Sequence, residues 1–222
     1  MTDLRRFPTA NDLVYHYVRR WIVSGELRPG EKLDQEDIAT RLDASRMPVR
    51  TAFERLASGG LVVMTPHRGA RVADMSVQDM LDVYDIRLQL EPWALKLAAG
   101  KLTGADAAKC RYFITETQKA LDGHDWNLYI DHNYDFYKVL WAASGNAALE
   151  QLLDQLSGRA LRYRWLYVEA DGSRSLKTMK SVLDGIVAGD SPGVFDSFHA
   201  AISSARDQLA DLITAKTMQA RR

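Results

Sequence analysis

"SRMPVRTAFERLASGGLVVMTPHRGARV", Ser45 to Val72, decides how the first third of this chain folds. Val49, Phe53 and Leu56 recur at helical spacing and form one apolar face, while Arg46 and Arg50, four apart, share another. Ser45 suits an N-cap, and Pro48 falls in the first turn, where a missing N–H matters little. Ser58-Gly59-Gly60 ends the helix. "LVVMTP" and "ARVAD" then read as short strands joined by a turn at His67-Arg68-Gly69. A helix followed by a hairpin with a basic tip concentrates cations locally in a chain whose formal net charge is zero.

Working outward, Leu13, Val14, Tyr17, Val18, Trp21 and Ile22 predict an earlier helix, with Asp12 as its N-cap. "QEDIATRLDA" predicts a second, turned inward on Ile38 and Leu42. Helix, helix, helix and hairpin within about 75 residues make a winged helix-turn-helix. After it the β-rich signals stop. Ser76 with Asp79 resembles a capping box and opens a helix through Met80, Val83, Tyr84 and Leu88, which Pro92 is expected to kink or break near Glu91. Further helical stretches follow at 104–122, 125–144, 146–168, 174–188 and 191–216. Their breakers are Gly123, Ser144-Gly145, Asp171-Gly172 and Gly189 to Pro192. The expected fold is mainly α: a winged helix-turn-helix over 1–75, then an all-α helical bundle over 76–222 for effector binding and dimerisation.

Composition limits the function classes. The 222 residues, 46% hydrophobic and 26% charged, are those of a globular chain rather than a disordered polycation. Cys110 is the single cysteine, so no intrachain disulfide forms, which fits a reducing cytoplasm. The N-terminus lacks the apolar stretch of a signal peptide, and no run of about 18 apolar residues exists to span a membrane. A glycine-rich phosphate loop, H-E-x-x-H and G-x-S-x-G are all missing, so an enzyme is not expected. A helix fits the major groove, and the N-terminal residues of a recognition helix approach base edges. Those residues here are Ser45, Arg46, Pro48 and Arg50; Arg68 and His67 at the hairpin tip suit the minor groove or phosphates, with Gly69 allowing the turn.

At this point the residues resemble a family. The G-x-L-x-P-G-x-x-L run from Gly25, the S-R-x-P-V-R opening at Ser45, the A-x-x-x-L-x-x-x-G-L run from Ala52 and the R-G-x-x-V wing resemble GntR-family transcription regulators. "YDIRLQLEPWALKLAA", "FYKVLWAASGNAAL" and "SVLDGIVAGD" further resemble the FCD-type, fatty-acid-responsive branch. The resemblance implies Arg46 and Arg50 as base or phosphate readers, with Arg41, Ser45 and Thr51 toward phosphate. Glu36 falls where some members carry a DNA-contacting arginine, so it is expected to face its own domain's cations.

The family's helical domain holds a cavity, where many members bind a divalent metal through one Asp and three His. This chain departs from that set. The four positions fall on Asn133, Tyr137, Met179 and Ala201, which are expected to line an effector pocket instead, Asn133 and Tyr137 as inward hydrogen-bonding groups and Met179 as adaptable apolar surface; His132 and His199 are near but out of register. No metal and no cofactor are therefore expected. Arg87 matches a cavity-facing arginine whose fork suits a carboxylate, although an ion pair with Glu91 at i+4 is an equal alternative; Arg162 and Tyr163 are weaker candidates. The sequence thus points to a cytoplasmic, homodimeric regulator of palindromic, double-stranded operator DNA. Its small effector is an organic anion or acyl compound, more apolar than a simple dicarboxylate. The alternative is a DNA-binding regulator without an effector, its helical domain serving dimerisation alone. The effector's identity, the operator and the choice of activator or repressor are not written in the sequence.

Overall fold

The computed structural model describes residues 9–66, 68–74, 76–189 and 191–220. The chain divides into two compact units, Met1–Met75 and Ser76–Arg222. The first contains α1 (Ala10–Val23), β1 (Lys32–Leu33), α2 (Gln35–Arg41), α3 (Arg46–Ser58), β2 (Val62–Thr65) and β3 (Gly69–Val72). The sheet is antiparallel with order β1-β3-β2; Leu33 faces Ala70 and Val62 faces Val72. Its core joins Leu13, Val14 and Val18 of α1 to Ile38 of α2 and Val49, Phe53 and Leu56 of α3.

Local chemistry sets these boundaries. Thr9, not Asp12, caps α1: its side chain accepts from the Asp12 N–H, leaving Asp12 in the first turn, where its negative charge also suits the helix dipole. Asp34 caps α2 through the Glu36 and Asp37 N–H groups. Asp43, with φ 49°, turns the chain from α2 toward α3; Asp tolerates this left-handed conformation better than most residues. Gly69 opens β3 with φ 84°, and nothing crowds a Cβ there, so the backbone angle alone calls for glycine.

The second unit contains α4 (Val77–Ala98), α5 (Gly104–Asp122), α6 (Trp126–Ala143), α7 (Ala147–Ala188) and α8 (Ser191–Ala220). Helix α5 packs on α6, α4 packs on α6, α7 and α8, and α7 packs on α6 and α8. Tyr129, Phe136, Leu140 and Trp141 of α6, Met80 and Leu95 of α4 and Phe198 of α8 are buried.

Two expected interruptions do not occur. Helix α4 continues through Pro92, with Glu91, Ala94 and Leu95 buried on either side of it. Helix α7 runs unbroken for 42 residues across Asp171-Gly172. Gly172 is there for close approach. The Tyr129 hydroxyl donates to its carbonyl at 2.6 Å, and a Cβ on Gly172 would meet the Leu121 side chain at 3.0 Å and the Tyr129 ring at 3.6 Å. The glycine that reads as a helix breaker admits a neighbouring tyrosine instead.

Candidate functional site

The exposed face of α3 carries the first set of candidates. Arg46, Arg50 and Thr51 are exposed, and Pro48 is half-buried in the first turn. Met47 is 68% exposed among them, an apolar group on the same opening turn that sequence reading passed over. Such a methyl-bearing group suits the thymine methyl in the major groove. Ser45 stands at the N-cap with extended backbone, but its hydroxyl makes no cap hydrogen bond, and the first turn holds no acid. By contrast, α1, α2, α4, α5, α6 and α7 all receive a side-chain cap. The positive end of α3 is therefore left open, flanked by arginines, an arrangement suited to phosphate.

These arginines are not idle in the protein alone. Arg46 Nη2 pairs with Glu36 Oε2 at 2.6 Å, and Arg50 Nε pairs with Glu54 Oε1 at 3.0 Å, all with exposed side chains. Glu36 thus meets a cation of its own unit. Arg41 is more committed: its guanidinium lies 3.9 Å over the Trp21 ring and pairs with Glu26. At the hairpin, Arg68 and Gly69 are exposed. His67 lies outside the described residues.

The second set of candidates surrounds a cavity of about 60 Å³ inside the helical unit. Helix α4 sends Tyr84, Arg87 and Glu91 into it, α6 sends Tyr137, α7 sends Arg164, Val168, Ser175 and Thr178, and α8 sends Phe198, Ala201, Ile202 and Ala205. Arg87 and Glu91 share the buried face of α4 because they are one turn apart. Arg87 Nε donates to Glu91 Oε1 at 2.5 Å, and the guanidinium lies 4.5 Å over the Tyr84 ring. Both alternatives for Arg87 hold at once: it pairs with Glu91 and lines the cavity. Its Nη1 is buried with no hydrogen-bond partner among the described residues.

The electrostatics follow. Burial is the largest single influence and opposes the charge of Arg87, but Glu91 and Tyr84 together outweigh it and raise the pKa above the ordinary arginine value. Arg164 moves the other way, lowered first by burial and then by the positive charge of Arg87. Burial, followed by the Glu91 charge, raises the Tyr137 phenol, which stays neutral at physiological pH.

Sequence reading missed Arg164 and named its neighbours. Tyr163 is buried elsewhere, its hydroxyl 2.9 Å from Asp79 Oδ2 near the start of α4. Arg162 lies on α7, with its side chain outside the described residues. Of the four positions where the family carries metal ligands, Tyr137 and Ala201 line the cavity. Asn133 and Met179 are fully buried in contact with each other. The Asn133 Nδ2 lies 3.0 Å from Met179 Sδ and 3.1 Å from Ser175 Oγ. An amide, a neutral phenol, a thioether and a methyl are a poor donor set for a divalent ion. No group of three or more His, Cys, Asp or Glu among the described residues is placed to hold a metal. His132 packs against the Tyr112 and Phe113 rings, and His199 is exposed. These residues do not fit the family's metal.

Comparison with known proteins decides the family. Residues 11–72 match the family described as "Bacterial regulatory proteins, gntR family", and residues 82–205 match the FCD domain. The chain belongs to the GntR family. Its curated relatives are transcription regulators, not enzymes. The HTH-type transcriptional repressor GlaR of Escherichia coli is 28% identical over 163 residues, covering 69% of this chain and 72% of GlaR. The Nta operon transcriptional regulator of Aminobacter aminovorans is 29% identical over 145 residues, covering 65% of this chain and 68% of its own. Among solved structures, E. coli McbR/YncC superposes with a TM-score of 0.74 at 23% identity, over 95% of this chain and all of that one. That likeness concerns fold: this GntR-family chain has the helix-turn-helix followed by the FCD helical bundle. No helix among the described residues is long and apolar enough to cross a membrane.

Proposed function

We propose that this GntR-family regulator reads a palindromic operator as a cytoplasmic homodimer, and that a small organic acid in the helical cavity sets its DNA affinity. In this reading 1–75 is the DNA-reading domain and 76–222 the sensing and dimerisation domain. Arg46 and Arg50 read bases or phosphates, with Ser45, Pro48, Thr51 and Arg41 around them. Arg68, Gly69 and His67 serve at the wing. The open, arginine-flanked N-terminus of α3 supports this half. Two copies related by a two-fold axis multiply the discrimination of a single winged domain. Ile86 and Trp93 on α4, each 47% exposed, are seven residues apart, with half-buried Leu90 between them; this apolar stripe suits a second copy.

One observation carries the sensing half: Arg87, which lines the cavity, has a buried Nη1 with no hydrogen-bond partner among the described residues. A helical domain used for dimerisation alone leaves that group unexplained. GlaR is named a transcriptional repressor, and we take the same direction of control here. The test is binding to a labelled duplex from the upstream region of the protein's own gene, across a salt series, beside Arg46→Ala and Arg50→Ala. The expected result is a specific complex with a steep salt slope that both variants weaken selectively. Equal, weak binding to any duplex, unchanged by either variant, contradicts it.

A further inference from the structure

Resting on the reading of the cavity as the effector site, we propose that Arg87 and Arg164 together form a metal-independent site for one short monocarboxylate. The charge balance comes first. Among the described residues lining the cavity, Arg87 and Arg164 supply two guanidiniums and Glu91 the one carboxylate. Tyr84, Tyr137, Ser175 and Thr178 add hydroxyl groups to the lining. The cavity lining therefore carries one positive charge in excess, half-buried at Arg164, and a partly desolvated charge without a counter-ion is unfavourable. One monoanion balances it; a dianion reverses the imbalance.

Geometry gives the same answer. Glu91 occupies Arg87 Nε and leaves Nη1 buried without a hydrogen-bond partner among the described residues, a donor left unsatisfied until an acceptor reaches it. Arg164, on a different helix, lines the same space and supplies the second cation. Tyr137 and Ala201 stand at positions where the family carries metal ligands, and both border the cavity that Arg164 enters. Arg164 thus contributes the positive charge that other members draw from a metal. The Arg164 pKa, lowered by burial and by Arg87, is what two like charges awaiting an anion produce.

Size and lining set the tail. Val168, Phe198, Ala201, Ile202 and Ala205 make much of the wall apolar. A cavity of about 150 Å³ holds benzene; this one, about 60 Å³, is smaller. The acid it takes is close in size to propionate, and a long acyl chain does not fit without expansion of the bundle.

The test is calorimetric titration of the full chain with acetate, propionate, butyrate, succinate and octanoate, in EDTA and again with added Zn²⁺. Saturable binding of at least one acid of two to four carbons is expected, unchanged within twofold by EDTA or Zn²⁺, with succinate and octanoate at least tenfold weaker. Arg164→Gln should lower the affinity at least tenfold, and Arg164→Lys should recover part of it. Circular dichroism and unfolding midpoints confirm that both variants are folded. Binding that disappears in EDTA, succinate binding more tightly than the monocarboxylates, or an Arg164→Gln variant of full affinity overturns the proposal. If no short acid binds while another metabolite shifts operator affinity, the monoanion site fails and the regulator reading stands. If a short acid binds and operator affinity does not move, the site stands and the sensing reading fails.

Discussion

The two units treat arginine in opposite ways. On α3, Arg46 and Arg50 are exposed, and each has an acid of its own. In the helical cavity, buried Arg87 and half-buried Arg164 line one space with a single acid, Glu91. Exposed pairs are worth about 0–1 kcal/mol, so a phosphate or a guanine edge replaces the carboxylate at little loss. Buried charges are not exchangeable in that way, and their partners must be supplied in full. In the proposed reading, these exposed pairs keep the face of α3 electrically quiet until a polyanion arrives. The cavity waits for one small anion.

The sharpest way to break this contrast is at Glu91. Glu91→Gln leaves the buried Arg87 guanidinium without its counter-charge, beside half-buried Arg164, and is expected to destabilise the helical unit by about 3–5 kcal/mol, read from denaturant midpoints. A saturating short acid should recover part of that loss. Arg164→Gln should do the reverse, leaving the ligand-free unit as stable as wild type or more so. A large loss of stability in Arg164→Gln would show that the second arginine is structural.

On α3 the expected effects fall on affinity and spare folding. Arg46→Ala and Arg50→Ala should each weaken operator binding by about 1–3 kcal/mol if they contact guanine bidentately, with unchanged unfolding midpoints. Electrophoretic titration on operator and mismatched duplexes separates base reading from phosphate contact. Glu36→Gln has a smaller expected effect of opposite sign: freed from its pair, Arg46 should bind DNA up to a few-fold more tightly, most clearly at low salt.

Acid titration gives the smallest effect. Backbone N–H groups of Glu36 and Asp37 hold the Asp34 carboxyl below its ordinary value of 3.8, and Thr103 does the same for Asp106. A depressed folded pKa contributes stability above the unfolded value and loses it as pH falls through the folded one. Melting midpoints should therefore fall only below about pH 4 from these caps, and Asp34→Asn, which retains an acceptor, should soften the fall.

Much of this architecture was legible because its signals are local. The Ser45–Val72 stretch contains its own apolar period, its helix terminator and its turn residues. Strand β1 was not legible: two residues become a strand only because β3 lies beside them. Helix α7 was misread for a related reason. Gly172 looks like a terminator until Tyr129, 43 residues earlier, is seen against it. Arg164 lay inside the expected 146–168 helix and was still passed over. Arg162 and Tyr163 were named where the cavity takes Arg164. The family's missing metal ligands were visible as substitutions. Arg164 was not visible as a cavity residue, although it shares α7 with Met179.

The most direct test of the account is operator affinity of the full chain with and without a short monocarboxylate, with saturation verified by calorimetry. The account predicts a shift of about 5–150-fold, the range of a coupling of about 1–3 kcal/mol, and no shift in Arg164→Gln at the same acid concentration. Identical operator affinity for the empty and the saturated protein would contradict it.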